Sequence, residues 1–200
     1  WGAAFSAEQL AQLKACYEGV DEEALWKNLE YFLKAIVPVA EKYGVKLAIH
    51  PDDPPWSIFG LPRIITSQAA LKHLCSLVNS PANGIALCSG SLGADPAIDL
   101  LAIIEELGDR VHFVHARNVK TMGHRCFYET YHADQTGNVP LPAIIRALYN
   151  RGFEGPIRPD HGRMIWGEVG RAGYGLYDRA LGASYITGLW TACGEKKKRS

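Results

Sequence analysis

Four residues of types that bind metal ions each stand at the end of a short apolar run. The runs read VKLAIH, GIALC, VHFVH and GPIRPD, and they end at His50, Cys88, His115 and Asp160. Imidazole, thiolate and carboxylate groups all offer lone pairs to a divalent cation, so zinc, iron and manganese each suit this set. Taken singly, each residue has an ordinary explanation, such as a hydrogen-bonded histidine, a buried cysteine or a turn-capping aspartate. Their shared position at the ends of four runs predicts one metal site.

Apolar periodicity predicts an alternation of helices and strands along the chain. A short helix opens at Ser6, and further helices are expected at residues 21–43, 67–78, 95–107, 141–149 and 177–190. Strands are expected at residues 45–49, 84–88 and 111–114, with a fourth starting at Ile157. Pro38 should kink or interrupt its helix, because proline lacks the backbone donor. The segment 117–138 has no clear periodicity, and a loop of that length is uncommon unless it has a function.

Parallel strands joined by helices give either an open doubly wound sheet or a (β/α)8 barrel. A whole barrel takes roughly 250 residues and eight strands, so four strands in 200 residues correspond to about half of one. No G-x-G-x-x-G follows the first strand, which removes the usual signature of a dinucleotide-binding fold. In either fold the strands end at one face, where the four metal-binding residues would converge. Alternation along the third strand places His112 on the other face from His115 or at another depth.

Composition and charge narrow the classes of function. Twenty-one basic residues balance 21 acidic ones, so there is no electrostatic reason to expect nucleic acid or an anionic membrane as a partner. Five scattered cysteines without a C-x-x-C pair predict a reducing cytoplasm rather than a disulfide framework. We see no signal peptide and no uncharged apolar run near the roughly 18 residues of a membrane span.

The chain is expected to be one domain, residues 1–200, that forms part of a barrel. Its last residues, 195–200, are expected to be a flexible basic tail. Trp1 is not an initiator methionine, so we expect the chain to have been processed, trimmed or cut from something longer.

Cationic and acid–base side chains accompany the predicted metal ligands. His161 directly follows Asp160, where it could act as an acid or base at a reacting carbon. Tyr174 lies in the glycine-rich segment GYGLY before the last helix, where it is either a second catalytic group or a packed aromatic. Several arginines in or beside the strand-end loops suggest an anionic substrate such as a carboxylate or phosphate. These are Arg63, Arg117, Arg158, Arg163 and Arg171.

At these residues the chain resembles the mannonate dehydratase family of sugar-acid degradation. The matching stretches are AEKYGVKLAIHPDDPPWSIFGLPRI, NGIALCSGSLG, VHFVHARNV, GFEGPIRPDHGRMIWGE and GYGLYDRALGASYITGLW. The resemblance covers nearly all of the chain between Leu25 and Trp190, and HPDDPP with GLPRI and RPDHGR with GYGLYDRALG are long and specific. It implies a (β/α)8 barrel with Mn²⁺ or Fe²⁺ that dehydrates D-mannonate to 2-dehydro-3-deoxy-D-gluconate.

The resemblance also assigns roles to residues. The metal ligands of the family correspond to His50, Cys88, His115 and Asp160, and its catalytic histidine and tyrosine to His161 and Tyr174. Contacts to the substrate are expected from Arg63, Arg117, Asn118, His132 and Arg163.

Two departures from the family are visible. Its members are longer at the N-terminus, so the first half of the barrel is absent here. The family's Phe-x-Glu-x-x-His stretch also persists only in outline, as Phe127, Glu129 and His132.

The expected reaction is loss of water across C2 and C3 of a sugar acid. Removal of the C2 proton leaves an enediolate-like charge that a divalent cation can stabilise, and an acid assists departure of the C3 hydroxyl. His161 and Tyr174 share these two roles in an order that the sequence leaves open.

Two alternatives remain at this point: a metal-dependent sugar isomerase or epimerase on a similar barrel, and a non-catalytic, metal-binding half barrel. The expected ligand is a small sugar acid, and the full-length form is expected to be a cytoplasmic homodimer.

Overall fold

The computed structural model of the protein describes residues 5–198. Its seven helices are α1 (Ala7–Ala15), α2 (Glu22–Lys42), α3 (Gln68–Leu77), α4 (Ser89–Gly93), α5 (Leu100–Leu107), α6 (Leu141–Asn150) and α7 (Leu176–Lys198). Its six strands are β1 (Leu47–Ile49), β2 (Asn83–Cys88), β3 (Val111–Ala116), β4 (Val119–Gly123), β5 (Cys126–Glu129) and β6 (Ile157–Pro159). A short 3₁₀ helix, Gly108–Arg110, leads into β3.

The main sheet has four parallel strands in the order β1-β2-β3-β6. Cys88 pairs with His115, and His115 pairs with Arg158, so these three residues share one face of the sheet. Each parallel connection contains at least one helix, as parallel pairing requires. The predicted α/β fold with a parallel sheet is therefore confirmed, with strand ends that meet at one edge.

The hydrophobic core lies between the sheet and the helices on one of its faces. Ile85 and Leu87 of β2 are fully buried, and they pack in the same core as Leu74 of α3, Ile103 of α5 and Ile144 of α6. The opposite face is more open, because Ala48 of β1 is exposed and Phe113 and His115 of β3 are only half-buried. The residues with metal-binding groups extend from this open face.

Helix α5 begins later than the sequence predicts. A start at Asp95 was expected, but the N-cap is Asp99, whose Oδ1 accepts from the backbone N–H groups of Leu101 and Ala102 at 2.9 and 3.0 Å. The Asp95 carboxylate instead accepts from the N–H of Ala97, two residues on, which closes a local turn. Two aspartates four residues apart competed for one cap, and the second one starts the helix.

Pro38 does not interrupt its helix. α2 runs continuously from Glu22 to Lys42, and Pro38 lies within it on an exposed position. Solvent can hydrogen-bond to the carbonyl that proline leaves without a partner, so the helix survives the missing donor. The helix ends as predicted, at Tyr43, before Gly44 with its positive φ of 65°.

The long segment after β3 contains structure that periodicity did not predict. β4 and β5 form an antiparallel hairpin, with Lys120 opposite Tyr128 and Thr121 opposite Phe127. The turn passes through Arg125, which has a positive φ of 54°. A glycine between two short stretches rich in β-forming residues was the signal that could have indicated this hairpin.

α7 is longer at both ends than the predicted helix 177–190. It reaches Lys198 and so overlaps the predicted basic tail, residues 195–200. Residues 199–200 of that tail lie outside the described residues, and the tail stays a prediction.

Candidate metal centre and acid–base pair

The strand ends bring the four predicted metal-binding side chains together. His50 follows β1, Cys88 ends β2, His115 lies near the end of β3 and Asp160 follows β6. The ligand atoms of His50, Cys88 and His115 lie within 4.8 Å of one another. Asp160 Oδ2 lies 3.6 Å from His115 Nδ1 and 3.7 Å from Cys88 Sγ. Three candidate donor atoms thus form one cluster, and Asp160 lies beside it next to His115 and Cys88, although these residues are up to 110 positions apart in the sequence.

The two histidines of this cluster are in direct contact. His50 Nε2 lies 3.2 Å from His115 Nδ1, so one of these two nitrogens donates a hydrogen bond to the other. His50 Nδ1 lies 2.6 Å from the carbonyl oxygen of Pro51 and must donate to it, because a carbonyl only accepts. Nε2 of His50 therefore carries the lone pair that faces the cluster, the arrangement typical of a metal-binding histidine.

Cys88 is held by the residues that follow it. Its Sγ accepts from the backbone N–H of Ser91 at 3.4 Å and from the Ser91 hydroxyl at 3.0 Å. These two contacts fix the position of the sulfur at the end of β2, on the side of Asp160, whose Oδ2 lies 3.7 Å from Sγ. Cys88 is fully buried, so solvent does not compete for these contacts.

The Asp160 carboxylate is buried and ionised. Burial alone would raise its pKa, but the hydrogen bond from His115 and the charges of His161, His115 and Arg117 outweigh it and hold the pKa well below its usual range. Its second oxygen, Oδ1, accepts from Arg158 Nη2 at 2.9 Å. Arg158 therefore holds one oxygen while the other faces Cys88 and the histidines.

The pKa of His115 depends on the same neighbouring residues. Burial lowers the pKa of His115, but its hydrogen bonds to Asp160 and Cys88 and their charges outweigh burial, so its pKa is raised. Two imidazoles, a thiolate and a carboxylate fit a divalent cation in number and in chemistry.

His161 and Tyr174 lie beside this cluster. His161 Nε2 is 3.8 Å from Asp160 Oδ2, and the centroids of the His161 and Tyr174 rings are 5.9 Å apart. The backbone brings them together, since Gly162 pairs with Tyr174 in an isolated parallel bridge. The structure thus places His161 next to the candidate ligand Asp160, and Tyr174 next to His161.

Glu129 connects His161 to the hairpin. Glu129 Oε1 lies 2.8 Å from His161 Nδ1, and both carboxylate oxygens accept from Arg117 Nε, at 3.1 and 3.0 Å. Burial would raise the pKa of Glu129, but the hydrogen bonds from His161 and Arg117 outweigh it and lower the pKa. Glu129 is accordingly a carboxylate. The sequence showed it only as part of an incomplete family motif.

Arg117, predicted to contact substrate, has a buried side chain with two carboxylate partners. It pairs with Glu129 on one side and with Asp53 Oδ2 at 2.6 Å on the other. Burial lowers the pKa of Arg117, but Glu129 and Asp53 outweigh it and raise that pKa above its usual range. Its backbone is fixed as well, because Ser89 Oγ accepts from the Arg117 N–H at 2.9 Å.

The other four residues predicted to contact the substrate lie in loops around the cluster. Arg63 donates to the carbonyl of Pro54, and Arg163 pairs with Asp178 at the start of α7. Asn118 is buried and spans the hairpin connection, where its amide donates to the Asp134 carbonyl at 2.8 Å. His132 is buried too. Their roles toward a substrate stay predictions.

His132 is unusual because its ring nitrogens are buried without a hydrogen bond of normal geometry among residues 5–198. Burial lowers the pKa of His132, and the charge of Asp178 offsets this only in part. Its ring packs against Gly182 of α7, where a β-carbon would come within 2.5 Å of His132 Nδ1. A neutral imidazole at this position fits a packing role against α7.

The fold and the site define an α/β domain with a candidate metal centre, and a candidate acid–base pair beside it, at the carboxyl ends of a parallel sheet. The family model described as D-mannonate dehydratase (UxuA) matches residues 3–200. The chain belongs to the D-mannonate dehydratase family, and the resemblance seen in its motifs is confirmed.

Individual relatives agree with this assignment. The chain is 55% identical over 194 residues to mannonate dehydratase 2 of Halalkalibacterium halodurans, a match that covers 96% of this chain and 56% of that protein. It is 50% identical to the crystal structure of mannonate dehydratase from Streptococcus suis serotype 2, with a TM-score of 0.86 over 90% of this chain and 52% of that one. The chain thus spans about half the length of the curated relatives it matches.

A more distant neighbour shares the fold alone. A D-tagatose 3-epimerase-like protein is 19% identical, with a TM-score of 0.61 over 86% of this chain and 57% of that one. Across residues 5–198, we find no helix that is both long enough and apolar enough to cross a lipid bilayer.

Proposed function

We propose that this chain carries the metal centre and acid–base pair of a mannonate dehydratase, which converts D-mannonate to 2-dehydro-3-deoxy-D-gluconate. The observation that carries the proposal is the approach of His161 to within 3.8 Å of Asp160, a candidate metal ligand, with Tyr174 beside it. A dehydration of this kind needs a cation next to two proton-transferring groups. Membership of the family supports the same substrate.

The metal would be held by His50, Cys88, His115 and Asp160. We propose Mn²⁺ or Fe²⁺, the ions that the family resemblance implies. When bound, the cation would stabilise negative charge that develops on the carboxylate side of the substrate.

His161 and Tyr174 would move the two protons of the reaction. One of them accepts the C2 proton, and the electron pair of that C–H bond forms the C2–C3 double bond as the C3–O bond breaks. The other donates a proton to the departing C3 hydroxyl, so that water leaves. The resulting enol ketonises to the 2-keto-3-deoxy acid without further help.

We propose that the four parallel strands are about half of a (β/α)8 barrel. The open face that carries Ala48 and His50 supports this proposal, because the interior of a closed barrel is packed with side chains. β1 and β6 end the sheet, and each pairs with one strand among the described residues. In the full-length form we expect a homodimer in the cytoplasm with a small sugar acid as its substrate, and neither nucleic acid nor membrane as a partner.

The test combines metal content with turnover of D-mannonate. After loading with Mn²⁺ or Fe²⁺ and removal of free metal, the chain should retain about one ion and form the 2-keto-3-deoxy acid. Cys88→Ser should lose both properties. Cys75→Ser is the matched control, since Cys75 is also buried but lies in α3 away from the site.

Other outcomes identify other functions. A product with the mass of mannonate would support a sugar isomerase or epimerase. Retained metal without turnover would support a non-catalytic half barrel. Failure to bind either ion would contradict the metal centre itself.

A further inference from the structure

The hairpin β4–β5 supplies the Glu129 carboxylate, whose position bears on which nitrogen of the His161 ring carries the proton. Glu129 is the last residue of β5 and reaches across to the loop that follows β6, where His161 lies. His161 has a positive φ of 32°, in the left-handed region. Among residues 5–198, Glu129 is the carboxylate that hydrogen-bonds to Nδ1 of the His161 ring.

A chain of alternating charges extends through Glu129. Asp53 pairs with Arg117, Arg117 pairs with both oxygens of Glu129, and Glu129 Oε1 meets His161 Nδ1. Arg117 is only 3% exposed, and its side chain is also packed over the Phe127 ring, 5.8 Å from the centroid. A buried guanidinium held at both ends fixes the plane of the carboxylate between them.

The direction of each hydrogen bond follows from this chain. Arginine carries only donors, so both Glu129 oxygens are acceptors. A carboxylate beside His161 Nδ1 requires the proton on Nδ1, which leaves the lone pair of the neutral ring on Nε2. Nε2 is the nitrogen on the side of Asp160, at 3.8 Å from its Oδ2.

We infer that Glu129 and Arg117 are positioning residues that hold His161 in its Nδ1–H tautomer, so that Nε2 alone exchanges protons with the substrate. The catalytic meaning of this inference rests on the proposed dehydratase function, although the tautomer itself does not. It holds whether His161 acts as the base or as the acid, since Nδ1 keeps its proton in both states.

Glu129→Leu gives a test in which the geometry predicts a change of tautomer. Leucine removes the oxygen that faces Nδ1, and the carboxylate oxygen that then remains beside the ring, Asp160 Oδ2, lies on the Nε2 side, so the ring proton should move to Nε2. Glu129→Gln is the conservative companion variant. Because Oε1 accepts from both Arg117 and His161, the amide oxygen should take the Oε1 position and keep the proton on Nδ1.

The measurement is ¹⁵N–¹H correlation spectroscopy of the metal-free chain with labelled histidine, at about pH 8 where an ordinary histidine is neutral. The His161 signal is assigned by its loss in His161→Asn. The parent and Glu129→Gln should show the Nδ1–H pattern, and Glu129→Leu should show the Nε2–H pattern. Glu154→Gln, at an exposed loop position, is the control and should leave the pattern unchanged.

A second measurement concerns turnover by the Mn²⁺-loaded chain. Glu129→Leu should lower kcat by about 10²–10⁴-fold, the range for loss of the correct tautomer of a catalytic histidine, and Glu129→Gln should retain most of the parent kcat. KM and the affinity for Mn²⁺ should change little, because the hydrogen bonds and ion pairs of Glu129 go to Arg117 and His161 and not to the four candidate metal ligands. A general loss of structure would change all three quantities together.

An Nε2–H pattern in the parent, or an Nδ1–H pattern that persists in Glu129→Leu, would overturn the inference. The parent spectrum decides the matter even if the variant does not fold. Absence of turnover in the parent would contradict the proposed function, while the tautomer result would still stand by itself.

Discussion

At the scale of single residues, the ion pair between the buried Asp178 and the partly exposed Arg163 joins the loop after β6 to α7. The Asp178 carboxylate is only 1% exposed and accepts from Arg163 three times, from its backbone N–H at 2.8 Å, Nε at 2.9 Å and Nη2 at 3.1 Å. Burial would raise the pKa of Asp178, but these hydrogen bonds and the charge of Arg163 outweigh burial and lower the pKa. His132 is the other titratable group that faces it.

We predict that Asp178→Asn lowers the free energy of unfolding by about 1–3 kcal/mol at pH 7, with a discount for the partial exposure of Arg163. A lowered folded pKa means that this stability is fully present above the unfolded value of about 4 and is lost as the pH falls through the folded value. The difference between parent and variant should therefore shrink below about pH 4. Urea unfolding at several pH values measures it.

Asp109→Asn is the matched control, because the Asp109–Arg151 pair has a carboxylate that is 90% exposed. Its effect should stay within about 0.5 kcal/mol at any pH. A difference for Asp178→Asn that is the same at pH 7 and pH 3 would contradict the ion-pair explanation.

Residue types alone predicted much of the candidate site. The four metal-binding residues could be selected because each ends an apolar run and because parallel strands end at one edge. Glu129 could not be selected in this way, since its value comes from Arg117 and His161, which lie 12 and 32 positions away. Contacts over such distances leave no local pattern in the sequence.

At the scale of elements, helix α7 contacts the rest of the domain through a glycine. Gly182 is buried, and a β-carbon there would come within 2.5–2.9 Å of three ring atoms of His132. Gly188 lies on the same helix, is exposed, and has no atom within 4 Å of a β-carbon. The two glycines therefore differ in packing while sharing a helical backbone.

We predict opposite effects for the two alanine substitutions. Gly182→Ala should lower the free energy of unfolding by about 1–3 kcal/mol, because the added methyl group overpacks a buried ring. Gly188→Ala should raise it by up to about 1 kcal/mol, because alanine loses less backbone entropy in a helix. Chemical denaturation of both variants checks this. Equal effects of the two changes would contradict close packing of His132 against α7.

Elements with strong periodicity were predicted well, and elements set by competition or long-range pairing were not. Ile103 and Ile104 belong to a clear apolar stripe, yet the choice of Asp99 over Asp95 as the cap depended on a turn that periodicity does not show. The hairpin β4–β5 was missed because its strands are short and half exposed. A strand of that kind lacks the continuous apolar run that identified β2.

At the scale of the whole molecule, a bound cation should stabilise the domain by mass action. Mn²⁺ at 100 times its Kd should add about 2.7 kcal/mol to the free energy of unfolding. For a chain of this length, that corresponds to a rise in Tm of about 5–10 °C. Thermal unfolding with and without Mn²⁺ measures the shift.

Two variants distinguish specific from general stabilisation by the metal. Cys88→Ser should remove the shift. Cys75→Ser should retain it, with a metal-free Tm that is lower than that of the parent by a few degrees. An equal shift in both variants would mean that the ion binds elsewhere.

The four candidate ligands are separated by 38, 27 and 45 residues and come from four different strands. A cation that binds all four would join β1, at one edge of the sheet, to β6 at the other. It could not gain its full set of contacts until all four strands had paired, so it would act late on the folding pathway. Bound metal should therefore slow unfolding far more than it speeds folding, because its contacts form only after the strands have assembled.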